Sequence, residues 1–502
     1  MRHATEFQNI KIFHKPVQPI DMKIILIVLI LTTLLTPQIS RCQDTGIDSI
    51  KLDYALNKLI NKYKTPDADF AISRNDSVIF SLSKNPKHVN RNYYIGSCSK
   101  SFTALALLQL VDAGQVELDK PVDEYLHWFE LKNNNQSKQI TVRHLLNQTS
   151  GFKTIDGFFD YLTSNQSEYE TQIATFVKSL TLRANPGAEF NYCNLNFILA
   201  GLIITHVTNE SYSSYLKKNI FTKIGMLNTY ASRTETESAS PIPGYQYYFN
   251  LSPISAKFAH SDFNVPQGLI SSNTGDLSAY LNCILNNCTT KNGDTLLSAL
   301  SYNLFITPLK YGYAMGWMGN KIVYNSDFNR QHDFPFIYHT GVNENYNSVL
   351  AIYPERKICI VVLSNINSLE FSKEAMNSIL STITNKPYTS GSSIEIIERN
   401  LLLPAIMLLA AGLFYNIYRW KKYGFRFGLT ARLSAIIRLA SGLTFAIVIL
   451  FVIPGMNNIS LSSLISYVPD FGFGLMVLAT LGSLSSIVRY EGTYSKYLIP
   501  KS

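Results

Sequence analysis

The chain has 502 residues, of which 46% are hydrophobic, so it can bury a sizeable core and a disordered chain is excluded. Its formal charge of +9 comes from the two ends, because residues 43–398 carry a net charge of −2. This distribution excludes a basic nucleic-acid surface on the main domain and points to the positively charged flanks of membrane segments.

An apolar run near the N-terminus predicts a secretory signal. Residues 22–42 begin at Met22 with one lysine, continue through an apolar run and turn polar before Cys42. The run is too short to cross a bilayer comfortably and has the form of a signal peptide. Residues 1–21 do not resemble the charged start of such a signal, so translation begins either at Met1 or at Met22. We expect the mature chain to begin near residue 43.

The first elements after this signal are a helix, a hairpin and a second helix. Residues 46–63 have apolar positions at helical spacing, and residues 69–82 read as two short strands about Asn75-Asp76. From residue 99 to 113 most residues are apolar, and Gly114 is predicted to end that helix. The pattern predicts a second helix that is buried on most sides.

The main domain is expected to end with two strands and a helix. The sequence "YNSVLAIYPERKICIVVLSN" contains two β-rich runs around a Pro-Glu-Arg-Lys turn, and residues 369–384 have helical spacing. Residues 386–398 follow; they are mostly polar and contain Pro, Gly and Ser, which is typical of a linker. The pattern therefore predicts one domain over residues 43–385 and a linker after it.

The region 399–502 contains three stretches that lack charged residues and are long enough to cross a bilayer as helices. These predicted spans are residues 400–418, 439–456 and 471–488. The loop between the first two is rich in Lys and Arg, so the positive-inside rule places it and the C-terminus in the cytoplasm. The main domain would then lie outside the cytoplasm, periplasmic or extracellular, where a signal peptide would deliver it. Three buried helices of a soluble domain are the alternative, but such helices usually have a polar face.

A serine and a lysine three residues apart open the buried helix. Ser97 and Lys100 share one helical face, so the lysine amine can reach the serine hydroxyl. Ser-x-x-Lys also occurs at Ser81 and Ser214, and the pattern alone is unspecific. Only Ser97 stands after Ile-Gly at a strand-to-helix turn, where free N–H groups and the helix dipole can stabilise an oxyanion. The context selects Ser97 as a candidate nucleophile with Lys100 as its base.

Two further motifs follow along the chain. Tyr192 and Asn194 flank Cys193 between a Pro-Gly turn and an apolar helix, which can place both side chains on one wall of a cleft. His339-Thr340-Gly341 precedes two strands. Each motif is unspecific when taken alone, but the three together and in this order predict the active site of a serine hydrolase.

The cysteines leave two possibilities open. Cys98 and Cys193 sit inside the motifs, either as small buried apolar residues or as a disulfide that ties the nucleophile helix to the tyrosine loop. Cys283 and Cys288 are close enough in sequence to pair locally.

With these motifs the chain resembles the serine β-lactamase and penicillin-binding-protein superfamily, in particular its class C β-lactamase-like branch, over about residues 50–385. Further stretches in the family's order are "ITVRHLLNQTSGF", "PQGLISSNTGDLSAYL" and "YGYAMGW". The resemblance implies an α/β (α+β) fold with a helical region against an antiparallel sheet, flanked by the first and last helices of the domain. Three transmembrane helices would follow this domain.

The same resemblance implies a role for each motif residue. Ser97 would be acylated, Lys100 would deprotonate it, and Tyr192 would relay the proton to the leaving group. The implied substrate-binding residues are Asn194, His339, Gly341 and Val342. The N–H groups of Ser97 and Val342 would form the oxyanion hole. His339 replaces the lysine of β-lactamases, as in esterase and aminopeptidase members of the branch, and would hold a substrate carboxylate less firmly.

An exported catalytic domain followed by three membrane helices resembles the prodrug-activating peptidases of the colibactin-maturation type. The prediction is a membrane-anchored serine hydrolase that cleaves an amide or ester, with a small molecule or a D-amino-acid peptide as substrate. A true β-lactamase and an esterase are alternatives, and a penicillin-binding sensor without turnover is an alternative of a different class. The polar segment "NENYN" is expected to line the cleft edge with amides. The histidines form no ligand-spaced cluster, so neither a metal nor another cofactor is expected, and nucleic acid is not an expected partner.

Overall fold

The computed structural model describes most of the chain from residue 47 onward. These residues are 47–386 apart from 89, 159–162, 164, 249–251, 257–260, 310 and 320–335, together with 394–423, 440, 444, 446–448, 450 and 469–494. The predicted signal region 1–42 lies outside the described residues. Most of the predicted span 439–456 lies outside them as well.

The secondary structure alternates helical blocks with strands. The helices, in chain order, are α1 (Ser49–Lys62), α2 (Ser99–Asp112), α3 (Asn134–Ser137), α4 (Val142–Leu146), α5 (Gln166–Ser179), α6 (Asn194–Thr208), α7 (Tyr212–Leu216), α8 (Thr222–Ile224), α9 (Arg233–Ser238), α10 (Val265–Gly268), α11 (Thr274–Leu285), α12 (Ala299–Ile306), α13 (Leu369–Thr384), α14 (Ile394–Tyr423) and α15 (Pro469–Tyr494). The strands are β1 (Ala68–Arg74), β2 (Ser77–Ser83), β3 (Tyr93–Tyr94), β4 (Tyr245–Tyr248), β5 (Ser252–Ser255), β6 (Ser271–Ser272), β7 (Tyr313–Ala314), β8 (Trp317–Gly319), β9 (Ile337–Val342), β10 (Asn347–Tyr353) and β11 (Ile358–Ser364).

Seven strands form one antiparallel sheet in the order β2-β1-β11-β10-β9-β8-β7. One face of the sheet packs against α1 and α13, where Leu56, Val349 and Leu380 are buried in a single apolar cluster. The other face joins a second cluster that includes α2 and α6. The chain therefore forms a helical region against an antiparallel sheet flanked by the first and last helices of the domain, as predicted.

The predicted hairpin and terminal elements of this domain are confirmed. Asn75 and Asp76 have φ angles of 49° and 62°, a left-handed pair that suits the tight turn between β1 and β2. The predicted helix 369–384 coincides with α13, and the predicted strand pair coincides with β10 and β11 around the turn at 354–356. Period-2 and period-3.6 patterns in the sequence therefore located these elements to within a few residues.

Helix α2 is buried on nearly every side. Its apolar residues occur all round rather than on one stripe, and even Lys100 has 0% exposure. After its last residue, Gly114 has a φ of +68°, which is the left-handed conformation that ends helices. Burial of the whole helix within the second cluster places Ser97, just before it, and Lys100, in its first turn, on a rigid support.

The C-terminal helices differ in part from the prediction. The predicted spans 400–418 and 471–488 are helical, within α14 and α15, and the last five residues of the predicted linker already belong to α14. Glu395, Glu398 and Arg399 stand at the start of α14, and Lys421 and Lys422 near its end, so its uncharged part is the predicted span 400–418. None of the helices in the described part of the chain is both long enough and apolar enough to cross a membrane.

Candidate active site

Ser97 lies on a single helical turn, Gly96–Cys98, between β3 and α2. Its side chain is half-buried, and the Lys100 Nζ donates a hydrogen bond of 2.9 Å to its Oγ. The one-turn spacing expected from the sequence therefore does bring the amine to the hydroxyl. At the other two Ser-x-x-Lys patterns the lysines have other partners, because Lys84 donates to the Thr65 carbonyl and Lys217 pairs with Glu235 at 2.6 Å.

Two glycines allow strand β9 to lie directly against the nucleophile turn. Gly96 has a φ of +54°, and a Cβ placed on it would lie 2.5 Å from the Val342 nitrogen. A Cβ on Gly341 would lie 1.9 Å from the Ile95 carbonyl oxygen. Any side chain at either position would push the two backbones apart. The close approach brings together the backbone segments that carry the Ser97 and Val342 N–H groups, and their use as an oxyanion hole stays a prediction.

The Lys100 amine is held in one orientation by three hydrogen-bond partners. Besides Ser97 Oγ, its Nζ donates to Asn194 Oδ1 at 2.8 Å and to the Gln267 carbonyl at 2.5 Å. Burial of the ammonium lowers the pKa of Lys100 from its usual value to about 7. In the neutral amine two N–H bonds can remain on Asn194 and Gln267, so the lone pair points at Ser97 Oγ. This is the geometry that a general base for Ser97 needs.

Tyr192 and Asn194 both lie beside Lys100. The Lys100 Nζ lies 4.9 Å from the centre of the Tyr192 ring, and Asn194 is the first residue of α6. Gln148 fixes this loop, since its Oε1 accepts from the Cys193 backbone N–H at 3.0 Å and from Asn196 Nδ2 at 2.6 Å. The Lys100 amine therefore lies beside the Tyr192 ring and donates to the Asn194 amide at 2.8 Å. The proton-relay role of Tyr192 stays a prediction.

His339 belongs to this cluster but is turned toward the protein. Its ring centre lies 6.2 Å from that of Tyr192, and the residue is 1% exposed. Its Nδ1–H donates to the Thr340 carbonyl at 2.7 Å, and the Tyr313 hydroxyl lies 3.4 Å from its Nε2. Burial, followed by the charge of Lys100, lowers the pKa of His339 to about 3. The imidazole is therefore neutral, and both of its ring nitrogens face protein groups in this conformation. Contact between His339 and a substrate stays a prediction.

The segment "NENYN" does not line the cleft edge, contrary to the prediction. Asn343, Asn345 and Asn347 are each at most 5% exposed. Asn343 Oδ1 accepts from the Tyr346 backbone N–H at 2.9 Å, and Asn345 Nδ2 donates to the Ala256 carbonyl at 2.5 Å. The amide of Asn343 therefore stabilises the β9–β10 turn, and that of Asn345 holds the neighbouring chain, so these two are structural groups in this conformation.

The cysteines form no disulfide among the described residues. Cys98, Cys193, Cys283 and Cys288 are all buried free thiols, so both proposed pairings are wrong in this structure. The Cys98 thiol donates to the His339 carbonyl at 3.2 Å, on the strand side of the nucleophile turn. Burial raises the pKa of both Cys98 and Cys193 to about 12, which makes them inert apolar residues near neutral pH.

Two contributors to the site were not assigned from the sequence. Gln267 supplies its backbone carbonyl to Lys100, and Tyr313 places its hydroxyl beside His339. Both lie in stretches that the sequence analysis recognised, "PQGLISS" and "YGYAMGW", but without a role. Within the described residues no group of three or more His, Cys, Asp or Glu side chains could hold a metal ion.

The acid side of the pH profile should report Lys100. We expect kcat/KM for a small uncharged ester to rise with pH through about 7, since only the neutral amine can accept the Ser97 proton, and to fall about tenfold per unit below it. Cys98, Cys193 and His339 also face the amine, but their pKa values of about 12, 12 and 3 lie far from this range. The measurement is kcat/KM between pH 5 and 9. A His339→Gln variant should show the same rise of kcat/KM through about pH 7. If the rise is lost in this variant, the titrating group is His339 rather than Lys100.

The sheet, the helical region and a serine–lysine–tyrosine cluster between them are features of the β-lactamase and penicillin-binding-protein superfamily. Residues 52–381, more than half of the chain, match the Beta-lactamase family, and the protein belongs to that family.

The individual proteins that the chain is similar to share less than 30% sequence identity with it. Protein flp of Staphylococcus aureus (strain N315) is 27% identical over 355 residues, which cover 68% of each chain. The D-stereospecific amidohydrolase from Streptomyces sp. is similar in fold, with a TM-score of 0.54 and 21% identity over 68% of this chain and 100% of that one. A class C β-lactamase is similar in fold to the same degree, with a TM-score of 0.54 and 19% identity over 68% of this chain and 100% of the other.

Proposed function

We propose that the protein hydrolyses an amide or ester through an acyl-enzyme on Ser97, and that its substrates are peptides with a D-amino acid beside the scissile bond. The observation that carries the proposal is the orientation of the Lys100 amine. Two of its three partners, Asn194 Oδ1 and the Gln267 carbonyl, are acceptors only, so the third direction is left for the Ser97 hydroxyl.

The reaction follows from these contacts. Ser97 Oγ attacks the substrate carbonyl carbon while its proton passes to the Lys100 amine. The tetrahedral intermediate collapses when the bond to the leaving amine or alcohol breaks and that group takes a proton, through Tyr192 in our proposal. Water then attacks the acyl-enzyme, gives up a proton to the same base, and releases the acid and the free serine. Every proton taken from a nucleophile is thus returned to a leaving group.

Two features, both concerning charge, support a D-peptide over a β-lactam as the substrate. The neutral, buried His339 supplies no charge for a substrate carboxylate. Lys100 is the cation beside Ser97 in the described part of the cleft, and it must lose its charge to act. The fold is similar to those of a D-stereospecific amidohydrolase and a class C β-lactamase to the same degree, so it does not decide between these substrates. A true β-lactamase and an esterase are the competing assignments within the same chemistry.

A pair of substrates that differ only in chirality tests this proposal. We expect the purified protein to hydrolyse a D-aminoacyl p-nitroanilide with a kcat/KM at least about tenfold above that of its L-enantiomer. The assay should include a chromogenic cephalosporin and a p-nitrophenyl ester. Rapid hydrolysis of the cephalosporin with both anilides inert would establish a β-lactamase. Acylation by penicillin with no turnover of any substrate would favour the sensor alternative.

We also propose that residues 399–502 attach the protein to a membrane with the catalytic domain outside the cytoplasm. Support comes from the three uncharged stretches, from the basic loop after the first, and from the exposed apolar side chains Leu401, Met407, Leu408 and Phe414 on α14. The full chain should stay in the membrane pellet after carbonate extraction, and a reporter fused after Ser502 should read as cytoplasmic. A chain ending at residue 386 and found in the soluble fraction is the control. Full-length protein in the soluble fraction would contradict the proposal.

A further inference from the structure

A second cavity lies on the flank of the helical region, away from the cleft. It has a volume of about 620 Å³, within the range of small-molecule sites, and is lined by residues of α6, α7 and α9 and of the segment before α10. We call it the flank cavity and define it by Gly201, Thr205, Tyr212, Arg233 and Pro266. Gly201 is seven residues after Asn194, roughly 10 Å along α6. Ser97, Lys100 and Tyr192 do not line this cavity.

The cavity offers both signs of charge beside an apolar wall. The Arg233 guanidinium pairs with Glu237 at 2.7 Å, and these side chains remain 42% and 57% exposed. Asp262 adds a second carboxylate, since its Oδ1 accepts from the Arg233 backbone N–H at 2.6 Å. Leu202 and Phe263 supply apolar surface in the same lining. A ligand with an ammonium group, a carboxylate and an apolar side chain matches this arrangement, because each of its groups meets its complement.

Pro266, on the inner wall of the flank cavity, is adjacent in sequence to Gln267, whose carbonyl contacts Lys100. Tyr212 and Thr103 hydroxyls are 2.7 Å apart, and Thr103 Oγ1 donates to the Pro266 carbonyl at 2.7 Å. The next carbonyl along the chain, that of Gln267, accepts from Lys100. A Cβ on Gly201 would lie 2.2 Å from Pro266 Cγ, so the proline ring is pressed against α6. Pro266 therefore separates the cavity from the group that orients Lys100.

We propose that the flank cavity binds a small zwitterion, an amino acid or short peptide with free termini, and that its occupant acts on Lys100 through Pro266. A ligand in contact with Pro266 and Tyr212 limits how far the Pro266–Gln267 backbone can move away from Lys100. The Gln267 carbonyl then stays closer to the ammonium and favours the protonated form. Binding itself does not depend on the reaction proposed above, whereas its effect on Lys100 rests on that proposed function.

Binding is tested on the full chain carrying Ser97→Ala, which cannot turn over a peptide. Calorimetric titration with the dipeptide leucyl-alanine should give a Kd of roughly 0.1–1 mM. Its N-acetylated, C-amidated analogue should bind at least about tenfold more weakly, since it lacks both charges. Thr205→Trp, which fills the cavity from α6, should abolish binding. Arg233→Gln at a partly exposed position should weaken it, and this variant serves if the tryptophan disturbs folding.

Two outcomes would overturn the assignment of the site. No measurable binding up to about 10 mM would exclude a zwitterion ligand of useful affinity. An unchanged Kd in both Thr205→Trp and Arg233→Gln would place the dipeptide elsewhere on the protein. Because these titrations need no catalysis, they separate failure of this site from failure of the proposed reaction.

The link to Lys100 is tested by kinetics on the chain with Ser97 intact. Saturating dipeptide should move the acid limb of kcat/KM for a small ester upward by about half a pH unit. Thr103→Val, which cannot bond to the Pro266 carbonyl, should lose this response, and Thr103→Ser should keep it because the hydroxyl remains. A shift of the same size in Thr103→Val, or no shift in the parent protein, would disprove the coupling through Pro266.

Discussion

Replacing Ser97 with alanine is expected to lower kcat/KM by about 10⁴-fold or more and to abolish covalent labelling by a fluorophosphonate or penicillin probe. The acyl-enzyme forms on this oxygen, and its position before α2 gives it the Lys100 amine at 2.9 Å. Because Ser97 is half-buried and Ala differs by one hydroxyl, the free energy of unfolding should change by less than about 1 kcal/mol. Steady-state kinetics, probe labelling and a melting curve on the same preparation give all three readings.

The matched control is Ser214→Ala, at another Ser-x-x-Lys pattern of the chain. Ser214 accepts from Ser211, and Lys217 pairs with Glu235 at 2.6 Å, so this serine has no amine directed at it. Activity and labelling should therefore remain at the level of the parent protein. Labelling that persists in Ser97→Ala would move the nucleophile to another residue, and the proposed reaction would be lost with it.

The sequence was sufficient where local pattern and tertiary structure agree. The Ser97–Lys100 spacing implies one helical turn, and a buried helix holds that turn rigidly, so the contact could be predicted without coordinates. The same reasoning located α13 and the hairpin at Asn75 and Asp76, where turn chemistry and alternation act together. Residue type and spacing therefore predicted the contact between Ser97 and Lys100 and most of the domain.

The sequence was insufficient to predict those parts of the site in which a backbone group takes part or in which the role of a side chain depends on its burial. The carbonyl of Gln267 would be offered by any residue at that position, so its identity gives no signal. His339 reads as a substrate contact from its motif, but its direction depends on Thr340 and on Tyr313, which is distant in sequence. The asparagines of "NENYN" look like surface amides, yet the turn they form buries them. Such features depend on contacts between segments far apart in the chain, which periodicity does not record.

The second large effect is expected from Gly341→Ala, a change of one methyl group away from the reacting atoms. The added Cβ would lie 1.9 Å from the Ile95 carbonyl oxygen and 2.2 Å from Ser348 Oγ. Both neighbours are fixed, because Ser348 Oγ donates to that carbonyl at 2.7 Å. Strand β9 must therefore move away from the nucleophile turn. We expect kcat/KM to fall about 10²–10³-fold, the usual cost of losing one oxyanion donor, and the protein to lose about 1–3 kcal/mol of stability.

Gly275→Ala, in the first turn of α11, is the control for adding a methyl group. The Cβ added there would have one neighbour, Asn273 Oδ1 at 3.3 Å. Helical positions also favour alanine over glycine. That variant should keep its activity and its melting temperature. The acid limb near pH 7 should survive in Gly341→Ala, because the bonds of Lys100 to Asn194 and Gln267 lie on the other side of Ser97. A Gly341→Ala protein that is destabilised but fully active would show that close contact between β9 and Gly96 serves folding alone. Reduced activity with an unchanged acid limb would show that β9 and α2 have separate roles. Strand β9 would then be needed to stabilise the oxyanion, and Lys100 on α2 to activate Ser97.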